Sequence, residues 1–147
     1  MTDLVLDQLN LICNDVDATI SFYRLLGLDI SESTVWRTES GSHHVEVKMP
    51  NGFELAFDSN ALAAVYNSGS IHRTNSGTRN VLSFRVHNPD KVDSICKTLK
   101  ELGHSVSQEP YNTFWGSRYA IIEDPDGNLV GLMSEPDPSL VTDPPQI

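Results

Sequence analysis

The sequence predicts an α+β protein built from two tandem βαβββ modules, forming a curved mixed sheet around a cleft. Three observations predict it. The first is an internal repeat. Asn14-Asp15-Val16-Asp17 leads through Phe22-Tyr23 to Leu26-Gly27, and Asn88-Pro89-Asp90 leads through Leu99 to Leu102-Gly103. Asn14 and Asn88 lie 74 residues apart, Gly27 and Gly103 76, and the turn glycines Gly52 and Gly127 75. The second is helical spacing: Val92, Ile95, Leu99 and Leu102 lay one apolar stripe along a helix. The third is alternation of apolar and mixed residues in the segments around these helices, the signature of half-buried strands. The 147 residues therefore divide into a first module at 1–59, a linker at 60–78, a second module at 79–134 and a tail at 135–147.

Each module opens with a strand, Leu6–Cys13 in the first and Asn80–Val86 in the second. A helix follows. In the first module Asp15 or Asp17 can cap it and Gly27 can end it in the left-handed conformation. In the second, Asn88 caps, Pro89 takes the first helical position and Gly103 ends it. Three strands come next: Leu28–Trp36, His43–Met49 and Phe53–Asp58, then His104–Tyr111, Arg118–Glu123 and Leu129–Ser134. Asn51-Gly52 and Asp126-Gly127 are hairpin turn signals between the last two strands of each module. In the linker, Ala61–Tyr66 reads as a short helix, and Asn67–Arg79, rich in Ser, Gly, Asn and Thr, as an exposed loop. The tail carries four prolines and no periodicity, so it reads as extended, either against a partner subunit or as a frayed end.

Composition excludes several functions. There are 20 Asp and Glu against 10 Lys and Arg, for a net charge of −10. Nucleic-acid phosphates and anionic membranes both call for clustered basic residues, so neither is an expected partner. No apolar run approaches the length of a membrane span, and Met1-Thr2-Asp3-Leu4 opens without a basic or apolar leader, so a cytoplasmic location is expected. Cys13 and Cys96 sit in apolar runs and form neither a zinc spacing nor a disulfide framework, and read as buried thiols. No Gly-rich phosphate loop or GxSxG elbow is present.

Alternation assigns the strand faces. One face carries Leu9, Leu11, Cys13, Val45, Val47, Leu55, Phe57, Leu82, Phe84, Val86, Val130 and Leu132 and should meet the helices. The other is mixed: Gln8, Asn10, His44, Glu46, Lys48, Glu54, Ala56, Ser83, Arg85, Gly131 and Met133. A mixture of apolar area and a few polar groups is what a small-molecule site needs.

The segments Leu9–Gly27 (LNLICNDVDATISFYRLLG), Val81–Val92 (VLSFRVHNPDKV) and Trp115–Met133 (WGSRYAIIEDPDGNLVGLM) resemble the vicinal oxygen chelate superfamily of glyoxalases, bleomycin resistance proteins and extradiol dioxygenases. The resemblance spans Leu6 to Ser134. Its metal enzymes take one ligand each from the first and fourth strands of both modules, usually His, Glu or Gln. The resemblance puts those positions on Gln8, on Ala56 or Glu54, on Val81 and on Gly131. Val and Gly side chains cannot bind a metal, so no metal and no other cofactor is expected in the family site. His43 and His44 point to opposite faces of a strand and cannot readily share an ion; a displaced site at His44, Glu46 and Glu54 stays open. His72, His87 and His104 read as surface or capping residues.

Trp36, Phe114, Trp115 and Tyr119 are candidates for stacking on a planar ligand. The run Trp115-Gly116-Ser117-Arg118 is similar to one in the same family, with Arg118 set either for packing against a carbonyl or carboxylate or for ligand contact. The resemblance thus implies a metal-independent protein that binds a small, antibiotic-like or aromatic molecule, with Gln8, Asn10, His44, Glu46, Glu54, Arg85, Trp115 and Tyr119 as lining residues. It also implies a homodimer, since family members complete their clefts by pairing modules. The alternative is a metal-dependent lyase, isomerase or dioxygenase of the same superfamily.

Overall fold

The structure, a computed structural model, describes residues 8–66 and 81–143. They divide into two compact units, one in each half of the chain. Each unit carries one four-stranded mixed sheet, so the expected mixed sheet is resolved as two. The exposed loop expected at Asn67–Arg79 and the last residues of the tail lie outside the described residues.

The first unit runs β1 (Gln8–Cys13), α1 (Val16–Leu25), β2 (Trp36–Thr38), β3 (Gly41–Lys48), β4 (Glu54–Ser59) and α2 (Asn60–Tyr66). Its sheet order is β1-β4-β3-β2, with β1 parallel to β4 and the other pairs antiparallel. Asp15 is the residue that caps α1, its carboxylate accepting from Ala18 N at 2.9 Å. Asp17 is released to accept from Ser42 Oγ and Arg37 Nη2 instead. Val16, Ile20, Phe22 and Tyr23 bury one face of α1 against Val45, Leu55 and Phe57, with the Tyr23 and Phe57 rings 4.7 Å apart. This is the helix-packed sheet that alternation predicts, and it leaves Gln8, Asn10, His44, Glu46 and Glu54 on the opposite face.

One expected element is absent. The segment Leu28–Trp36 is not a strand: it contains a 3-10 turn at Glu32–Thr34, and β2 starts only at Trp36. Arg24 at the end of α1 takes the Ile30 carbonyl through Nε (3.0 Å) and Nη2 (2.6 Å), and also reaches Glu32. Thr34 Oγ1 turns back to Ser31 O. Backbone groups needed for a ladder are spent on the helix end and on local serine and threonine bonds.

The second unit runs β5 (Val81–Val86), α3 (Pro89–Glu101), β6 (Val106–Asn112), β7 (Arg118–Glu123) and β8 (Leu129–Ser134), in sheet order β5-β8-β7-β6. Asn88 caps α3 through Lys91 N, Pro89 opens it, and Gly103 follows it with φ +91°. Val92, Cys96 and Leu99 pack on Ala120, Ile122, Val130 and Leu132. Arg118 closes the unit with a two-pronged bond to Asp93 on α3, Nε–Oδ2 3.0 Å and Nη2–Oδ1 2.7 Å. That planar fork is the strong geometry for a guanidinium and a carboxylate, and its hydrogen bonds hold the Arg118 pKa above its usual value. Arg118 therefore packs against a carboxylate, one of the two roles left open for it.

The tail is tied to its own module. Asp137 N donates to Gly116 O and Thr142 N to Phe114 O, both at 2.9 Å. A Cβ on Gly116, where φ is +87°, would stand 2.4 Å from the Asp137 carbonyl oxygen. Only glycine permits so close an approach.

Candidate functional site

The registers set equivalent rows of residues across the mixed face of each module. In the first they are Ile12–Asp58–His44, Asn10–Ala56–Glu46 and Gln8–Glu54–Lys48. In the second they are Arg85–Met133–Tyr119, Ser83–Gly131–Ile121 and Val81–Leu129–Glu123.

The first module builds its site around Asp58, which is only 1% exposed. Its Oδ2 accepts from Asn10 Nδ2 at 2.7 Å and its Oδ1 meets His44 Nδ1 at 2.6 Å. With Asp58 ionised, that contact is a hydrogen bond donated by Nδ1. That fixes the imidazole and turns Nε2 toward Glu46 Oε2, 3.9 Å away and too long for a hydrogen bond. His44 remains about a third exposed. The arrangement offers a ligand one oriented imidazole nitrogen beside a free-standing carboxylate. Gln8 and Glu54 are direct neighbours one row further on, with Lys48 beside Glu54.

The second module places aromatic rings and donors on the equivalent rows. Tyr119 touches Trp115 edge-on at 5.9 Å and Tyr111 at 6.2 Å, and Phe114 continues the run 5.0 Å from Trp115. Arg85 anchors one nitrogen on Ser134 O at 3.2 Å and faces Glu135 at 3.4 Å. Gly131 is crossed by two side chains: a Cβ there would lie 2.5 Å from Ser83 Oγ and 2.8 Å from Tyr119 Oη.

Seven of the eight sequence candidates lie on strands of the mixed faces, Gln8, Asn10, His44, Glu46 and Glu54 in the first module and Arg85 and Tyr119 in the second; Trp115 lies in the turn before β7, its ring 5.9 Å from that of Tyr119. The structure joins Asn10 to His44 through Asp58, and Tyr119 to Trp115. Sequence reasoning passed over Asp58 and Ser83. Asp58 continues the Glu54, Ala56 alternation, and its position as the last residue of the expected strand hid it. Ser83 falls on the mixed face by alternation, and its small side chain gives no signal of a role in the sequence.

The family's metal centre needs two donors from each module. Gln8 and Glu54 are cross-strand neighbours, and their counterparts are Val81 and Leu129. The remaining positions given by the resemblance are Ala56, paired with Asn10 in the first module, and Gly131, paired with Ser83 in the second. At these positions the second module contributes no His, Glu or Gln, so the residues present do not fit that metal. The displaced set of His44, Glu46 and Glu54 does not close either: among the described residues no group of three or more His, Cys, Asp or Glu is placed to hold an ion.

Two other features lie off these faces. His43 bonds Ser59, Thr38 and Ser40, with its ring against Trp36. It borders a cavity of about 390 Å3 that none of the mixed-face residues lines. Cys13 and Cys96 are both buried; burial first, then Glu109, pushes the Cys96 thiol pKa up, against nucleophilic use. Among the described residues no helix is long and apolar enough to cross a membrane.

Comparison with known proteins places the chain. A search of curated proteins returns no match. Among solved structures, a glyoxalase/bleomycin resistance protein/dioxygenase family enzyme from Burkholderia phytofirmans PsJN is similar at 21% identity and a TM-score of 0.71, over 88% of this chain and 97% of its own. A glyoxalase-related enzyme from Fulvimarina pelagi is similar at 20% identity and 0.70, over 91% and 89%. Lactoylglutathione lyase from Agrobacterium tumefaciens is similar at 21% identity and 0.61, over 91% and 95%. At these identities the likeness is one of fold. The family model described as the Glyoxalase/Bleomycin resistance protein/Dioxygenase superfamily matches residues 5–132, and the chain belongs to that superfamily.

Proposed function

We propose that the protein is a metal-independent small-molecule-binding member of this superfamily, acting by sequestration of an antibiotic-like or aromatic ligand. The observation that carries the reading is the register of the second module, which sets Ser83 against Gly131 and Val81 against Leu129 where metal donors would be required. What stands there instead is suited to recognition: aromatic rings for area, hydroxyls and a guanidinium for orientation. On its own mixed face the first module carries His44 and the Glu46 and Glu54 carboxylates. No cofactor is part of the reading. The protein works as a cytoplasmic homodimer, without nucleic acid or membrane as partner. Support for the dimer is that each described sheet ends on edge strands, which a second chain can cover.

The reading is tested by a thermal-shift screen against glycopeptide antibiotics, flavins and short thiol adducts, run with and without a chelator. The expected result is a stabilising ligand whose shift survives the chelator. A shift that appears only with added divalent metal favours the metal-dependent lyase, isomerase or dioxygenase alternative; one structural neighbour is named a lactoylglutathione lyase. Silence across the screen overturns the binding reading.

A further inference from the structure

The space over Gly131 has a specific chemistry. In the first module the equivalent residue is Ala56, flanked by Asn10 and Glu46. In the second, a methyl at that position would collide with Ser83 Oγ, Tyr119 Oη and the Tyr119 ring carbon Cε2, at 2.5, 2.8 and 3.0 Å. The absent side chain is what lets a tyrosine from β7 lie across β8 and bring its hydroxyl toward a serine on β5. Neither hydroxyl has a hydrogen-bond partner among the described residues. Ser83 is exposed and Tyr119 half-buried, so both are open to a ligand. Each brings one O–H that an incoming oxygen can accept.

The surroundings narrow the class of that oxygen. Arg85 is two residues from Ser83 on the same strand face and shares a row with Tyr119 across Met133. Its guanidinium favours a negative or polarised oxygen and repels an ammonium. Glu135 partly offsets that charge, so a neutral carbonyl is served as well as a carboxylate. Trp115 and Tyr111 flank the Tyr119 ring and supply the wall against which an aromatic ring packs. The geometry points to a subsite for the oxygen substituent of a flat aromatic ligand, an aryl carboxylate or aryl ketone, held by the Ser83 and Tyr119 hydroxyls over Gly131. This inference rests on the small-molecule-binding reading and adds to it the polarity of the ligand at this face.

Fluorescence of Trp115 tests it. Trp36→Phe leaves Trp115 as the one tryptophan of the chain. In that background, benzoate and acetophenone are titrated against benzylamine, with unfolding temperatures confirming that each variant is folded. Saturable quenching by the two oxygen-bearing probes and none by the amine is expected. Tyr119→Phe keeps the ring and removes the hydroxyl; it and Ser83→Ala should each weaken benzoate about 3- to 10-fold, the size of one hydrogen bond. Gly131→Ala, whose methyl turns both hydroxyls aside, should weaken it at least as much. Binding of benzylamine as tight as benzoate, absence of saturable binding by the folded protein, or indifference of benzoate to all three substitutions overturns the subsite. Any of these alongside a chelator-resistant ligand from the wider screen removes the subsite and leaves the binding reading standing. A stoichiometric metal ion removes the reading itself.

Discussion

The two modules share strand order, the register of the pairs made by their fourth strands and the helix after their first strands, yet their mixed faces are chemically opposed. Where the first carries Ile12–Asp58–His44, the second carries Arg85–Met133–Tyr119. Where the first has Asn10–Ala56–Glu46, the second has Ser83–Gly131–Ile121. One face presents acceptors ordered around a buried carboxylate. The other presents donors and aromatic rings ordered around a glycine. The backbone repeat therefore fixes where side chains point and leaves open what they do, which is why fold membership alone settles no activity.

The largest effect expected from breaking this contrast is at Asp58. Asp58→Ala strips the acceptor from both Asn10 and His44 inside the sheet and should cost about 3 kcal/mol, read by chemical denaturation. Its counterpart Met133→Ala removes only half-buried apolar surface and should cost about 1 kcal/mol. Equal losses would mean that the carboxylate is not the organiser of the first face. A smaller pair contrasts the turns. Gly116→Ala forces a methyl onto the Asp137 carbonyl and should cost about 2 kcal/mol while releasing the tail; Gly52→Ala, also at positive φ but facing open space, should cost about 1 kcal/mol. Hydrogen exchange at Asp137 and Thr142 reads the tail directly.

Next come the helix caps, where the modules should behave alike. Asp15→Ala and Asn88→Ala each leave one helical N–H unmet and should each cost about 1 kcal/mol. The smallest effect is a pH dependence confined to the tail. The Asp137 carboxyl is held below its usual pKa by the Ser139 hydroxyl and then by the Ser139 amide. A lowered folded pKa means stability present above the unfolded value and lost as pH falls through the lowered one. The Ser139 amide resonance should therefore shift in acid below the ordinary Asp range, and Asp137→Asn should abolish that shift.

Much of the fold was legible because its signals are local. Asn88-Pro89 and Gly103 bound α3 by capping chemistry, and the ranges of β7 and β8 follow from alternation between turn residues. The expected strand Leu28–Trp36 was not legible, because Arg24, outside the segment, captures the Ile30 carbonyl. The site was legible as a set of faces. Its organisers were not: Asp58 acts through partners 48 and 14 residues away, and Gly131 acts by what its missing side chain admits. Neither property is written in the residue type.

The central claim is that these faces recognise a ligand without the family's metal. Elemental analysis of protein purified without added metal, repeated after equilibration with divalent manganese, nickel or zinc and desalting, tests it most directly. The account predicts far less than one ion per chain in every case, unchanged by Glu54→Ala. One tightly held ion per chain, lost on Glu54→Ala or His44→Ala, would contradict it.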